Sequence, residues 1–216
     1  MKTAALFDMD HTLVGANSAL LYVKWLRDRG EARRRDAALF GWWFVRYMAG
    51  SLDAAGIART VAQPLAGRDA ARFIREVEDW SAAEVVPFIS ARARSVVASR
   101  QARGDLCAVL TSSTAYAAKP VADALGIDHI LASRLVAADG KLTGAIEEPL
   151  CFGAAKVIVA RHWARKHDVD LTRSAFFSDS ITDLPMLDAV GEPVVVNPDP
   201  RLRWTAWRRG WPVERW

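Results

Sequence analysis

The sequence predicts an α/β fold: a parallel sheet with helices on both faces, and a block of helices inserted after the first strand. Three observations lead there. Short apolar runs of strand length, "TAALFD", "DLCAVLTSS", "SAFFSD" and "PVVVN", carry few charges inside them, as strands covered on both faces do. Segments of helical periodicity separate the later runs. Residues 15–102 contain no such run, only successive helical patterns.

The first strand is expected over residues 3–8. The helical block follows: "SALLYVKWLRDRG", "RRRDAALFGWWFVRYMAG", "SLDAAGIARTVAQPLAG" and "RDAARFIREVEDWS", each ending near a glycine or a helix start signal. Ser51 and Ser81 are the expected N-caps. A further helix is expected over 86–102. Then come a strand at "DLCAVLTSS", a helix at "AYAAKPVADALG" and a strand at "DHILAS". "LVAADGKLTGAI" reads as a hairpin, because Asp139-Gly140 sits between alternating residues. "GAAKVIVARHWARKH" is a helix, "SAFFSD" a strand, "ITDLPMLDAVG" a short helix, "PVVVN" a strand and "DPRLRWTAWRRG" a last helix. In that helix Trp204 and Trp207, with Trp211 just beyond, are expected to form a stripe packed on the core.

Composition narrows the class. The 216 residues suffice for one domain with an inserted subdomain, or for two small domains. A chain that is 51% hydrophobic and 25% charged is globular rather than disordered. The formal net charge of +4 suits an anionic substrate, and without a binding motif it does not argue for nucleic acid. Cys107 and Cys151 fit no metal or redox spacing, and no disulfide is expected. Asp8 interrupts the N-terminus before any signal-peptide apolar region. The longest nearly uncharged stretch, residues 37–50, is shorter than the roughly 20 residues a membrane span needs. A cytoplasmic protein is expected.

The ligand crevice of such a sheet lies at the carboxyl ends of its strands, and polar residues gather there. Asp8 and Asp10 end the first strand. Thr111, Ser112 and Ser113 end the second. Asp179 and Asp183 follow "AFFS". Residues i and i+2 of an extended segment share a side, so Asp8 and Asp10 can face one pocket. Two neighbouring carboxylates repel unless a cation intervenes. Mg²⁺ would suit Asp8 plus Asp179, which leaves the other acid free to move a proton. That division of labour suits phosphoryl transfer: one carboxylate attacks phosphorus and the second serves the leaving oxygen and then the water. Lys156, near the start of a helix, could neutralise the transferred group. Each piece alone has a plainer reading: a polar turn, a helix cap, a solvated lysine, a strand-end hydroxyl.

Together, "FDMDHTL", "VLTSS", Lys156 and "SDSITD" resemble, in order and spacing, the four motifs of the haloacid dehalogenase-like hydrolase superfamily. "CFGAAK", "SDSITDLPMLDAVG" and "NPDPRLR" resemble its phosphoserine-phosphatase-like subgroup, subfamily IB. The resemblance implies a Rossmann-like core over 1–14 and 84–216, with a helical C1-type cap over 15–83. It implies Asp8 as nucleophile and Mg²⁺ ligand. Asp10 would be the general acid/base, with its main-chain carbonyl on the metal. Thr12 would steady the first loop, and Thr111 and Ser112 would hold the phosphoryl group. Lys156 would neutralise charge, Asp179 would bind Mg²⁺, and Asp183 would bind it through water or orient Lys156. An acid at position 10 argues against carbon–halogen cleavage, whose leaving group needs no proton.

The chain departs from the subgroup in the cap. Phosphoserine phosphatases carry a glutamate for the substrate's ammonium where this chain has Asn17, and Arg59 is the candidate for the substrate's carboxylate. A neutral amide binds an ammonium less well than a carboxylate does. The expected activity is Mg²⁺-dependent hydrolysis of a small phosphomonoester, phosphoserine-like or an amino-alcohol phosphate such as histidinol phosphate. Alternatives are a phosphotransferase or mutase of the same superfamily, or a lipid-phosphate phosphatase. The expected partner is a small phosphorylated metabolite, with a homodimer possible and no nucleic acid. "GWWFVRYM" reads first as cap core or a dimer contact, and second as a patch for anionic lipid.

Overall fold

The structure, a computed structural model, describes residues 1–31 and 54–216. The expected helix at "RRRDAALFGWWFVRYMAG", the Ser51 cap and the "GWWFVRYM" patch lie outside the described residues.

The strands are β1 (Ala4–Phe7), β2 (Leu106–Thr114), β3 (His129–Ser133), β4 (Leu135–Ala138), β5 (Lys141–Ile146), β6 (Ala175–Ser178), β7 (Glu192–Val196) and β8 (Val213–Glu214). The described helices are α1 (Ser18–Asp28), α2 (Ala54–Ala62), α3 (Ala70–Glu84), α4 (Ala91–Ala102), α5 (Ala115–Ala124), α6 (Ala155–His167), α7 (Leu184–Leu187) and α8 (Pro200–Arg209). Six strands form one sheet in the order β3-β2-β1-β6-β7-β8, every pair parallel. Chain order reverses across β1, which places a topological switch point at its carboxyl end.

Alternation along the strands builds two cores. Ala5 and Phe7 of β1, Val109 of β2 and Phe177 of β6 face α3, α4 and α5 in one buried cluster. Ala4, Leu6, Leu110 and Phe176 face α6, α7 and α8 in the other. A period of two divides each strand's residues between the faces. This accounts for continuous apolar runs rather than alternating ones.

Two of the local expectations need correction. Ser81 does not start a helix. It lies inside α3, fully buried, and its hydroxyl donates to the Ala117 carbonyl across the helix pair at 2.6 Å. The α3 cap is Asp69, whose carboxylate accepts from Arg72 N. Nor do Trp204 and Trp207 pack on the core; they are 56% and 78% exposed. The inward stripe of α8 is Leu202 and Ala206, four residues apart, with Trp211 packed beside it. At a boundary, the helix expected from residue 86 begins at Ala91 with Ser90 as its cap, after a 3-10 turn at Val86–Phe88. β8 had no signal: two residues are too few to show a period.

The hairpin forms as expected. Asp139 and Gly140 both take positive φ, 49° and 75°, as a two-residue hairpin turn demands. It also reaches the helical block. Gly67 N donates to Leu142 O, Leu142 N to Arg68 O and Ala70 N to Gly140 O, at 2.8–2.9 Å. The turn between α2 and α3 is thereby laddered to the β4–β5 pair.

Candidate active site

Asp8 is the first residue beyond β1. Its N–H donates to Phe177 O of the neighbouring β6, which fixes the strand end. From α6, packed on one face of the sheet, comes Lys156, 3% exposed. Its ammonium donates to Asp8 Oδ1 at 2.8 Å and to Asp183 Oδ2 at 2.7 Å. The Ser178 hydroxyl, at the end of β6, adds a 2.7 Å bond to Asp183 Oδ2. One buried cation thus ties the β1 loop to the β6 loop.

The charges in this cluster do not balance. Burial pushes the Asp8 carboxyl up to about 7, against the pull of Lys156 and with further upward pressure from Asp183 and Asp10. Asp179 is pushed up to about 9, by burial first and then by Asp8 and Asp183. Lys156 is itself raised: its two carboxylates outweigh its desolvation.

Asp10 is held by different chemistry. Ser18, the first residue of α1, donates its N–H to Asp10 Oδ1 at 2.8 Å and its hydroxyl to Oδ2 at 2.9 Å. Burial still raises the Asp10 carboxyl, and these two bonds lower it in part. The Ser18 hydroxyl lies 3.4 Å from that of Ser113, and Ser113 N donates to Thr111 Oγ1 at 3.1 Å. Thr12 Oγ1 is buried with no hydrogen-bond partner among the described residues. Around the rim, Asp199 caps α8 and accepts from Ile181 N at 2.7 Å, while its own N–H holds the Asp179 carbonyl. Asn197 donates to the His11 carbonyl at 3.0 Å.

The structure brings together Asp8, Asp10, Lys156, Asp179 and Asp183; Thr111 is buried and linked to Asp10 through Ser113 and Ser18, and Ser112 is exposed. It gives Asn17 another job: its side chain caps α1 by accepting from Leu20 N at 3.1 Å. Arg59 is exposed in the last turn of α2 and makes none of the bonds just described. Ser18, Ser178 and Asp199 escaped the sequence reading. Asp199 had a signal, an acid before a proline that opens a helix. The two serines had none, since a hydroxyl shows its purpose only beside its acceptor.

A divalent cation fits this donor set. Buried Asp8 and half-buried Asp179 are both pushed up, Asp179 partly by Asp8, and carboxylate oxygens are the donors a hard divalent cation prefers. The Asp10 side chain is engaged by Ser18, so its main-chain carbonyl is what it can offer. Among the described residues no three His, Cys, Asp or Glu side chains form a ready cluster, and two carboxylates with a carbonyl would not be one. Among the same residues no helix is long and apolar enough to cross a membrane.

The family model described as haloacid dehalogenase-like hydrolase matches residues 5–188. A probable phosphatase of Mycobacterium tuberculosis is 35% identical over 98% of this chain and 75% of its own length. A histidinol-phosphatase of Neisseria meningitidis is 31% identical over 99% of this chain and 98% of its own. The structure of a phosphoserine phosphatase, captured as a phospho-aspartyl intermediate analogue, superposes with a TM-score of 0.71. It covers 99% of this chain and 93% of its own at 22% identity, which is a likeness of fold.

Proposed function

The chain belongs to the haloacid dehalogenase-like hydrolases, and from that premise we propose that it hydrolyses a small phosphomonoester through a phosphoryl group carried on Asp8. The observation that supports this most is the Lys156 bridge. A single buried ammonium holds Asp8 Oδ1 at 2.8 Å, which leaves Oδ2 to attack phosphorus. As the P–O bond to the leaving group breaks, Asp10 protonates the departing oxygen. Asp10 then takes a proton from the water that attacks the phosphorylated Asp8. Lys156 offsets the added negative charge throughout, and Asp183 keeps it aimed. The unpartnered Thr12 hydroxyl, Thr111 and the Ser112 amide are the remaining donors for phosphoryl oxygens. Mg²⁺, held by Asp8, Asp179 and the Asp10 carbonyl with Asp183 behind them, would neutralise those oxygens.

The helices between β1 and α4 are read as a cap over 15–83, placed to exclude water and select the substrate. Asn17, a neutral helix cap, supplies no carboxylate for a substrate ammonium. Histidinol phosphate carries an ammonium as well, so the preference for an amino-alcohol phosphate such as histidinol phosphate over phosphoserine rests on the Neisseria relative's printed name. The two buried free thiols fit the cytoplasmic setting this reading keeps.

The test is release of inorganic phosphate from a panel of metabolite phosphates, with Mg²⁺ and with chelator. The reading expects metal-dependent release, with kcat/KM for histidinol phosphate above that for phosphoserine. Phosphoserine as the best substrate would overturn the specificity. Release from no ester, or transfer of the phosphoryl group to an added alcohol in place of phosphate release, would overturn the reaction.

A further inference from the structure

We infer that Ser18 is the positioning residue for proton transfer, coupling the docking of helix α1 to the orientation of Asp10. The inference rests on the reaction proposed above and assigns that reaction a residue outside its four motifs.

Ser18 is the first residue of α1 and is 2% exposed. The first N–H groups of a helix lack intrahelical partners and are usually met by a cap or by water. Asn17 caps this helix through Leu20 N, so the Ser18 N–H is left for another acceptor. It takes Asp10 Oδ1, while the Ser18 hydroxyl takes Oδ2. One residue therefore grips both oxygens of one carboxylate. That fixes both side-chain torsions of Asp10, which a single bond would not. The same hydroxyl lies 3.4 Å from that of Ser113, near the end of β2 and two residues past Thr111. If α1 moves off the β1 loop, both grips are lost together and Asp10 is free to turn.

The consequence is chemical and selective. Forming the phosphorylated Asp8 breaks the P–O bond to the leaving group, and the electron pair on that oxygen takes the Asp10 proton. An alkyl oxygen needs that proton; a p-nitrophenyl oxygen leaves without it. A misoriented Asp10 should therefore slow alkyl phosphates and largely spare aryl phosphates at this step. Because kcat/KM reports steps up to the first irreversible one, it isolates this half of the cycle. The second half, in which Asp10 takes a proton from water, is common to both esters and is read from kcat.

The experiment compares wild type, Ser18→Ala and Ser18→Thr on the best alkyl phosphate of the panel and on p-nitrophenyl phosphate. Oriented acid–base groups contribute about 10²–10⁴-fold. Ser18→Ala is expected to lower kcat/KM for the alkyl ester by about 10- to 100-fold and for the aryl ester by less than about 3-fold. Its aryl reaction should show a burst of p-nitrophenol as the phosphorylated enzyme accumulates. Ser18→Thr, which keeps the hydroxyl, should recover most of the alkyl rate. In an Asp10→Asn background, Ser18→Ala should add no further loss on the alkyl ester. Equal losses on both esters, no loss on either, or an added loss in the Asp10→Asn background would overturn the inference while leaving the phosphatase reading intact. A circular-dichroism melt of each variant identifies misfolding, and a misfolded Ser18→Ala beside a folded, slow Ser18→Thr also overturns it. A wild type that hydrolyses neither ester sinks both.

Discussion

The two acids of the β1 loop lie two residues apart and are held in opposite ways. Asp8 meets a buried cation, Lys156, which also binds Asp183 and through it Ser178. Among the described residues Asp10 meets only neutral donors, both from Ser18. Charge-assisted bonds are short and strong, and they suit a nucleophile that must stay ionised and fixed. Neutral donors can hold a carboxyl without locking its charge, which suits a group that must give up a proton and take it back. The Asp8 side is built entirely from core elements, β1, β6 and α6. The Asp10 side leans on α1, in the helical block. In the reaction proposed above, the nucleophile is thus built in, and the proton carrier is conditional on where the helices sit.

Several perturbations break or sharpen this contrast. The largest effect on stability should come from Lys156→Met. It leaves Asp8 and Asp183 facing each other in a buried site, and breaking a buried pair costs about 3–5 kcal/mol. A drop of that size in urea-derived stability at pH 8, with kcat down at least about 10³-fold, is expected. Unchanged stability would mean that the bridge is not buried in solution.

Proton linkage separates the two sides next. Asp8 and Asp179 have native-state values of about 7 and about 9, above the ordinary carboxylate value of 3.8. The native form therefore keeps protons that the unfolded chain releases. This contribution to stability is full below about 4 and is lost as pH rises through about 7 and then about 9. With chelator, thermal melts should fall across pH 5–9, and Mg²⁺ should flatten the fall by doing what the protons did. A chelated melt that rises over that window would contradict the picture of uncompensated carboxylates.

Ser178→Ala should do less. It removes one buried bond to Asp183, worth about 1–2 kcal/mol, and lowers kcat only several-fold because Lys156 keeps both carboxylates. The melt and kcat check this together. A loss as deep as that of Lys156→Met would show that the hydroxyl, not the ammonium, organises the β6 loop.

What the sequence disclosed follows the same division. The strands were readable because both faces are covered, so each is a plain apolar run. Asp8, Asp179 and Asp183, with Lys156, were readable because acids after strand ends and a lysine at a helix start have few other reasons to recur in that order. Ser18 and Ser178 were not, since their work depends on an acceptor brought back across a turn, 8 and 5 residues away. Ser81 misled because a serine near a helix end looks like a cap, whereas its acceptor is a carbonyl on the neighbouring helix. Trp204 and Trp207 misled because their size suggested burial, while the spacing of Leu202 and Ala206 decides which face of α8 turns inward.

Whether Asp8 carries the phosphoryl group can be read from a trapped intermediate. Acid-quenched enzyme, digested after brief exposure to substrate and Mg²⁺, should carry one phosphoryl group on the peptide containing Asp8. Asp8→Asn should lose that label and at least about 10⁴-fold in kcat while melting as a folded protein. A label on another peptide, or an Asp8→Asn variant that still turns over near the wild-type rate, would contradict the account.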